Sequence, residues 1–134
     1  QHGFIRVERN CEFAAHCDCE AHGDGVLEIG AGTYFNRYCM ISAHECVTIG
    51  KHCMFGPGVK IFDNNHVHSP ESGVSGKLIT GAISIGDNSW IASDAIILKG
   101  THIGKNCVIG AGCIVRGEIP DGSVVVNKQD VMIR

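Results

Sequence analysis

Apolar side chains return every sixth residue over most of the chain. They fall at Val7, Phe13 and Cys19; at Ile29, Phe35 and Ile41; at Ile49, Phe55 and Ile61; at Ile85, Ile91 and Ile97; and at Ile103, Ile109 and Val115. A fixed short period marks a stack of units, each covering the apolar face of the next. The fifteen hexads group as five coils of three, and stacking the coils sets like on like: the second column reads Phe13, Phe35, Phe55, Ile91, Ile109. The pattern predicts an all-β chain, a parallel β-helix of about five three-hexad coils, which at about 4.8 Å per coil stands roughly 24 Å tall.

Four residues after the ladder position the side chain is small or modestly apolar in most hexads: Cys11, Cys17, Thr33, Cys39, Cys53, Val59, Ser89, Ala95, Thr101, Cys107 and Cys113. Three residues after it comes a corner, and thirteen of the fifteen corners are Gly, Asn, Asp or His. Those types best tolerate the positive φ of a tight turn between short strands. His16, His22, His44 and His52 are thereby read as corner residues.

The register breaks at residues 23 to 28, at a two-residue excess around Glu45 to Thr48, and over 67 to 84. Threading the last stretch as a coil would put Gly73 in the ladder and turn Glu71 and Lys77 inward. It is read as an extruded loop, and long loops on rigid scaffolds often carry function. The expected division is a β-helix domain over 1–120, including the loop 67–84, and a C-terminal tail over 121–134.

Composition sharpens this picture. Eighteen glycines beside three prolines suit regular corners rather than a flexible linker. The formal net charge of −3 comes without a Lys/Arg run, which argues against nucleic acid as a partner. No apolar stretch is long enough for a membrane-spanning segment. The chain opens on Gln1 without a signal-peptide pattern, which points to trimmed or missing upstream residues rather than to secretion. Of eight cysteines, six occupy the small column and Cys19 the ladder, leaving Cys46 unplaced. Cysteine as a small buried hydrophobe accounts for them without zinc or disulfides, in keeping with a reducing cytoplasm.

The repeat leaves His66 and Trp90 unexplained. Trp90 occupies an outward hexad position, where a large aromatic wastes apolar surface unless something covers it. The hexads I-G-D-N-S-W, I-G-K-N-C-V and I-G-A-G-C-I, with the ordered set Tyr34-Phe35-Asn36, Val59 to His66, Ser89-Trp90-Ile91 and Ile109 to Gly112, resemble the hexapeptide-repeat acyltransferases. The likeness is greatest to the galactoside, maltose and bacterial polysaccharide O-acetyltransferases.

The resemblance implies a left-handed helix, assembly as a homotrimer with active sites between subunits, acetyl-CoA as co-substrate and a saccharide acceptor, with no metal expected. It makes His66 the catalytic base, a role suited to a side chain that titrates near neutrality. It places Tyr34, Asn36 and His68 toward the acceptor. Trp90, Ser93, Ala111 and Gly112 fall toward the coenzyme A groove, with Arg116 and Lys128 toward its phosphates. Asp63 and Asn64 are candidates for orienting the imidazole.

The implied reaction is acetyl transfer to a sugar hydroxyl, in particular of a bacterial surface polysaccharide or its precursor. Transfer to a nucleotide-linked amino sugar is an alternative, and a γ-type carbonic anhydrase-like zinc enzyme is a rival of another class. The chain departs from the sugar-acetyltransferase pattern at Ala43-His44, where an acidic pair is usual, and at Arg116-Gly117, where Thr-Lys is usual. The galactoside and maltose specificities are therefore not carried over.

Overall fold

A computed structural model describes residues 3–134. Three parallel sheets form the sides of a triangular prism. The first stacks Phe4–Val7, Val26–Ile29, Cys46–Ile49, Ile83–Ile85, His102–Ile103 and Glu118–Ile119. The second stacks Glu12–Phe13, Tyr34–Phe35, Met54–Phe55, Trp90–Ile91, Val108–Ile109 and Val124–Val125. The third stacks Asp18–Ala21, Met40–Ala43, Lys60–Phe62, Ile96–Ile97 and Ile114–Val115. Ladder residues pair with ladder residues throughout, and from Ile29 to Val115 every one of them is buried in the core. Phe13, Phe35 and Phe55 stack face to face at 4.9 and 4.5 Å between centroids.

The helix runs two strands further than the fifteen hexads. Ile119 pairs with Ile103 and Val125 with Ile109, so a partial sixth coil reaches into the stretch read as tail, and strand structure ends at Val125. The sequence period hid this coil because its ladder returns after sixteen residues instead of eighteen. Ladder positions within a coil keep their six-residue spacing, and every change in coil length falls at the corner between the third and first sheets.

The corners show why left-handed backbone is needed. Eleven of the fifteen predicted corner residues have φ between 54 and 78°. In the strands an amide donates to the carbonyl of the following coil, as Tyr34 N does to Cys53 O. At the corners the left-handed residue turns its N–H back to the preceding coil: Gly32 to Arg9, Tyr38 to Ala15, His52 to Ala31, Asn88 to Lys51, Asn106 to Asp87. Glycine takes this conformation freely, Asn and Asp at small cost. The four exceptions, His22, His44, Asn64 and Glu118, all lie at the third corner, and at two of them the neighbouring Gly23 and Gly117 take the positive φ instead.

The small column has a second rule. Cys11, Cys17, Cys39, Cys53 and Cys107 donate their thiols to carbonyls of the next coil at 3.1 to 3.2 Å, and Thr33 and Ser89 place hydroxyls likewise at 2.8 and 2.9 Å. All eight cysteines are free. Burial pushes the Cys19 thiol up to about 12 and the Cys39 thiol up to about 11, with Cys17 nearby adding to both.

The first coil is the open end of the stack. Val7 and Phe13 are 44% and 40% exposed, against 0% for Phe55 in the middle. Phe55→Ala is accordingly expected to cost about 3–5 kcal/mol of unfolding free energy, and Phe13→Ala less than half of that, in urea titrations. The thiols predict a pH dependence of fixed sign. An unfolded thiol ionises near its ordinary 9.0, whereas folding holds Cys19 and Cys39 neutral to higher pH. Their contribution is complete below pH 9 and declines as pH rises toward 11. Melting curves across that range should fall more steeply for the parent than for Cys19→Val/Cys39→Val.

Candidate active site

The expected loop is an antiparallel hairpin. Asn64–Ser69 pairs with Gly73–Thr80, and Ile83 and Ser84 already belong to the first sheet. The extruded segment therefore begins and ends a few residues before the predicted 67–84. Gly73, at φ 69°, turns the chain at the tip. His66 does not end the third-sheet strand, which stops at Phe62; it stands within the first leg of the hairpin, exposed, opposite Leu78. His68 follows across a bulge, exposed and opposite Val74.

Asp63 and Asn64 do not orient the imidazole. The Asp63 carboxylate is wholly buried at the neck of the hairpin. It accepts the backbone N–H groups of His44, Glu45 and Cys46 at 2.8, 2.8 and 2.9 Å. Asn64 donates its amide to Asp63 Oδ1 at 3.1 Å and to the Ser42 carbonyl at 3.3 Å. The two-residue excess around Glu45 thus forms the seat on which the hairpin rests.

Beneath the hairpin, at the third corner, a small cavity of about 160 Å³ is lined by Asn65, Leu98, Lys99 and Arg116. Neither cation has an acidic partner within ion-pair distance among the described residues. Because side chains alternate along a strand, Asn65 facing this cavity turns His66 to the opposite face of the hairpin. Sequence reading missed Lys99. Its signal is the basic residue before a corner glycine, Lys99-Gly100 and again Arg116-Gly117. A larger groove of about 530 Å³, lined among others by Arg6, Glu28, Lys51 and Asp87, runs along the first corner, on another edge of the prism.

The remaining candidates lie on the second sheet and second corner. Tyr34, Met54, Trp90, Val108 and Val124 form one outward row, with Met54 55% and Trp90 51% exposed. Asn36, just past that sheet, is half-buried; its side-chain oxygen accepts the Arg37 N–H at 2.8 Å, which leaves the amide nitrogen free to donate. Ser93, Ala111 and Gly112 stack at the second corner, where Gly112 N donates to Ser93 O at 2.9 Å. Lys128 is exposed in the segment beyond Val125. One chain thus brings together Arg116 and the hairpin base, and separately Trp90 with the small corner residues. The two groups occupy different edges of the prism.

The three faces differ in character. The first presents Arg6, Glu28, Thr48, Ser84, His102 and Glu118, and Ser84 Oγ meets His102 Nδ1 at 2.8 Å. The second carries the apolar row, and the third is mixed, with Asp18 and Lys60 among Met40, Ile96 and Ile114, the last 64% exposed. Among the described residues no three His, Cys, Asp or Glu side chains gather as a metal site, and no helix is long and apolar enough to cross a membrane.

Residues 82–117 match the family model described as bacterial transferase hexapeptide, six repeats. The putative lipopolysaccharide biosynthesis O-acetyl transferase WbbJ of Escherichia coli K12 is 32% identical over 98% of this chain and 72% of its own length. The chain belongs to the hexapeptide-repeat acetyltransferases.

The galactoside O-acetyltransferase of Lactococcus lactis is 34% identical over 90% of the chain, which spans 58% of that relative's length. A solved galactoside acetyltransferase in complex with coenzyme A superposes with a TM-score of 0.73 at 32% identity, covering 90% of this chain and 60% of that one. The β-helix is left-handed, as the resemblance implied.

Proposed function

We propose that this chain is the β-helix of an acetyl-CoA-dependent O-acetyltransferase that acetylates a sugar hydroxyl, in particular of a bacterial surface polysaccharide or its precursor. The observation that carries the reading is the hairpin: it carries His66, exposed, on an arm that leaves the prism, on a chain whose relatives include the putative lipopolysaccharide biosynthesis O-acetyl transferase WbbJ.

In this reading His66 takes the proton of the acceptor hydroxyl as the oxygen attacks the thioester carbonyl. The tetrahedral intermediate collapses by breaking the carbon–sulfur bond, and the departing thiolate recovers the proton from the imidazolium. A developing oxyanion needs a donor placed beforehand, and the free amide of Asn36 is suited to give it. Tyr34 and His68 lie toward the acceptor. Trp90 with Ser93, Ala111 and Gly112 flanks the coenzyme, and Arg116 and Lys128 meet its phosphates.

The working unit is a homotrimer. The apolar row on the second face suits burial between subunits, and contact between the Trp90 face of one copy and the hairpin edge of the next unites residues that a single chain keeps apart. Eight free thiols suit a cytoplasmic location.

Incubation with labelled acetyl-CoA and a panel of bacterial oligosaccharides should acetylate a hydroxyl of at least one. Label transferred only to amino sugars would replace the O-transfer reading by the N-transfer one, and no transfer at all would remove both. His66→Ala is expected to lower kcat about 100- to 10,000-fold while unfolding free energy changes by no more than about 0.5 kcal/mol. Sedimentation equilibrium should return three times the 14.3 kDa chain mass, and a monomer with full activity would exclude sites shared between subunits.

A further inference from the structure

We propose that Asp63 is a positioning residue for acetyl transfer, its buried carboxylate clamping the neck of the hairpin and so fixing where His66 stands. The inference rests on the reading of His66 as the base, and the clamp itself stands on geometry.

The carboxylate is 0% exposed and has no Lys or Arg partner among the described residues. A buried charge of this kind is tolerated when hydrogen bonds replace water. Oδ1 takes the His44 N–H and the Asn64 amide, and Oδ2 takes the Glu45 and Cys46 N–H groups. Successive backbone N–H groups converging on one anion make a fixed positive cup. The first, fourth and fifth coils turn their third corner without such an acid, through Gly23, Gly100 and Gly117 at positive φ. The buried acid occurs at the corner from which the hairpin leaves.

Both legs of the hairpin are tied to the same seat. The Asp63 carbonyl accepts the Gly81 N–H at 2.9 Å, closing the neck. Thr80 Oγ1 donates to Glu45 Oε1 at 2.7 Å, and Asn64 reaches the Ser42 carbonyl. His66 itself is exposed, so its place is set by the leg that carries it and the anchor three residues before. Displacing a reacting group by about 1 Å costs roughly a hundredfold in rate, so a loosened neck should reach the chemistry without touching it.

Asp63→Asn tests this, because the amide keeps the size but turns an NH₂ toward N–H donors. Amides of 64–80 should exchange with deuterium at least about tenfold faster while those of 83–125 hold. The kcat for acetyl transfer should drop about a hundredfold, with KM for acetyl-CoA within about twofold. Unchanged exchange at 64–80, or exchange rising equally over 83–125, would overturn the clamp. If Asp63→Asn fails to fold, Thr80→Val with Glu45→Gln cuts the other tie: several-fold loss of kcat with local exchange supports the clamp, and parental values for both overturn it. His66→Ala retaining turnover where Asp63→Asn loses it would remove the base assignment and leave the clamp; the reverse would remove the clamp alone.

Discussion

Each coil of this protein hands its strand amides to the carbonyls of the next at about 3 Å, and everything else is subordinate to keeping that register. Register places isoleucine over isoleucine and phenylalanine over phenylalanine, so one set of hydrogen bonds and one apolar column enforce each other. The corners then have to reverse direction within a residue or two, which demands left-handed backbone. The small column fills the inside of the bend, with Val59 and Ala95 by volume alone and elsewhere with side chains that hand a hydrogen to the next coil. Cysteine, threonine and serine are interchangeable there because all three are small and all three can donate.

These demands are local, and that is why so much of the fold is legible in the sequence. A ladder isoleucine or a corner asparagine is fixed by its own coil geometry, repeated until it shows as a period. The candidate site obeys no such repetition. Asp63 reads as a candidate partner of the imidazole and not as an anchor, because its partners are backbone groups nineteen to seventeen residues earlier and leave no trace in side-chain identity. The start of the hairpin was misplaced for the same reason: Asn64 sits at a corner position by count, yet its backbone leaves the prism there. The last partial coil escaped because its period shortened to sixteen.

His66 and Trp90 stand out in the sequence as what the repeat cannot use, and the structure sharpens the contrast between them. The histidine belongs to an appended two-stranded element with few ties to the stack, all gathered at one corner. The tryptophan belongs to a rigid row in mid-sheet, held by neighbours above and below. A reacting group on a tethered arm and an apolar wall on a stiff prism answer different needs: the arm's position depends on its anchor, and the wall's on the whole stack.

Of the three edges of the prism, two repeat without change and one absorbs every difference in coil length, from sixteen residues to the thirty-six that include the hairpin. Chain can therefore be spliced in or removed along that edge without shifting the ladder on either side, since ends already adjacent in space pay little extra closure entropy for a longer excursion. The solenoid thus separates what must be conserved in shape from what is free to diversify, and a lineage can alter the reach and chemistry of its arm while inheriting the same frame.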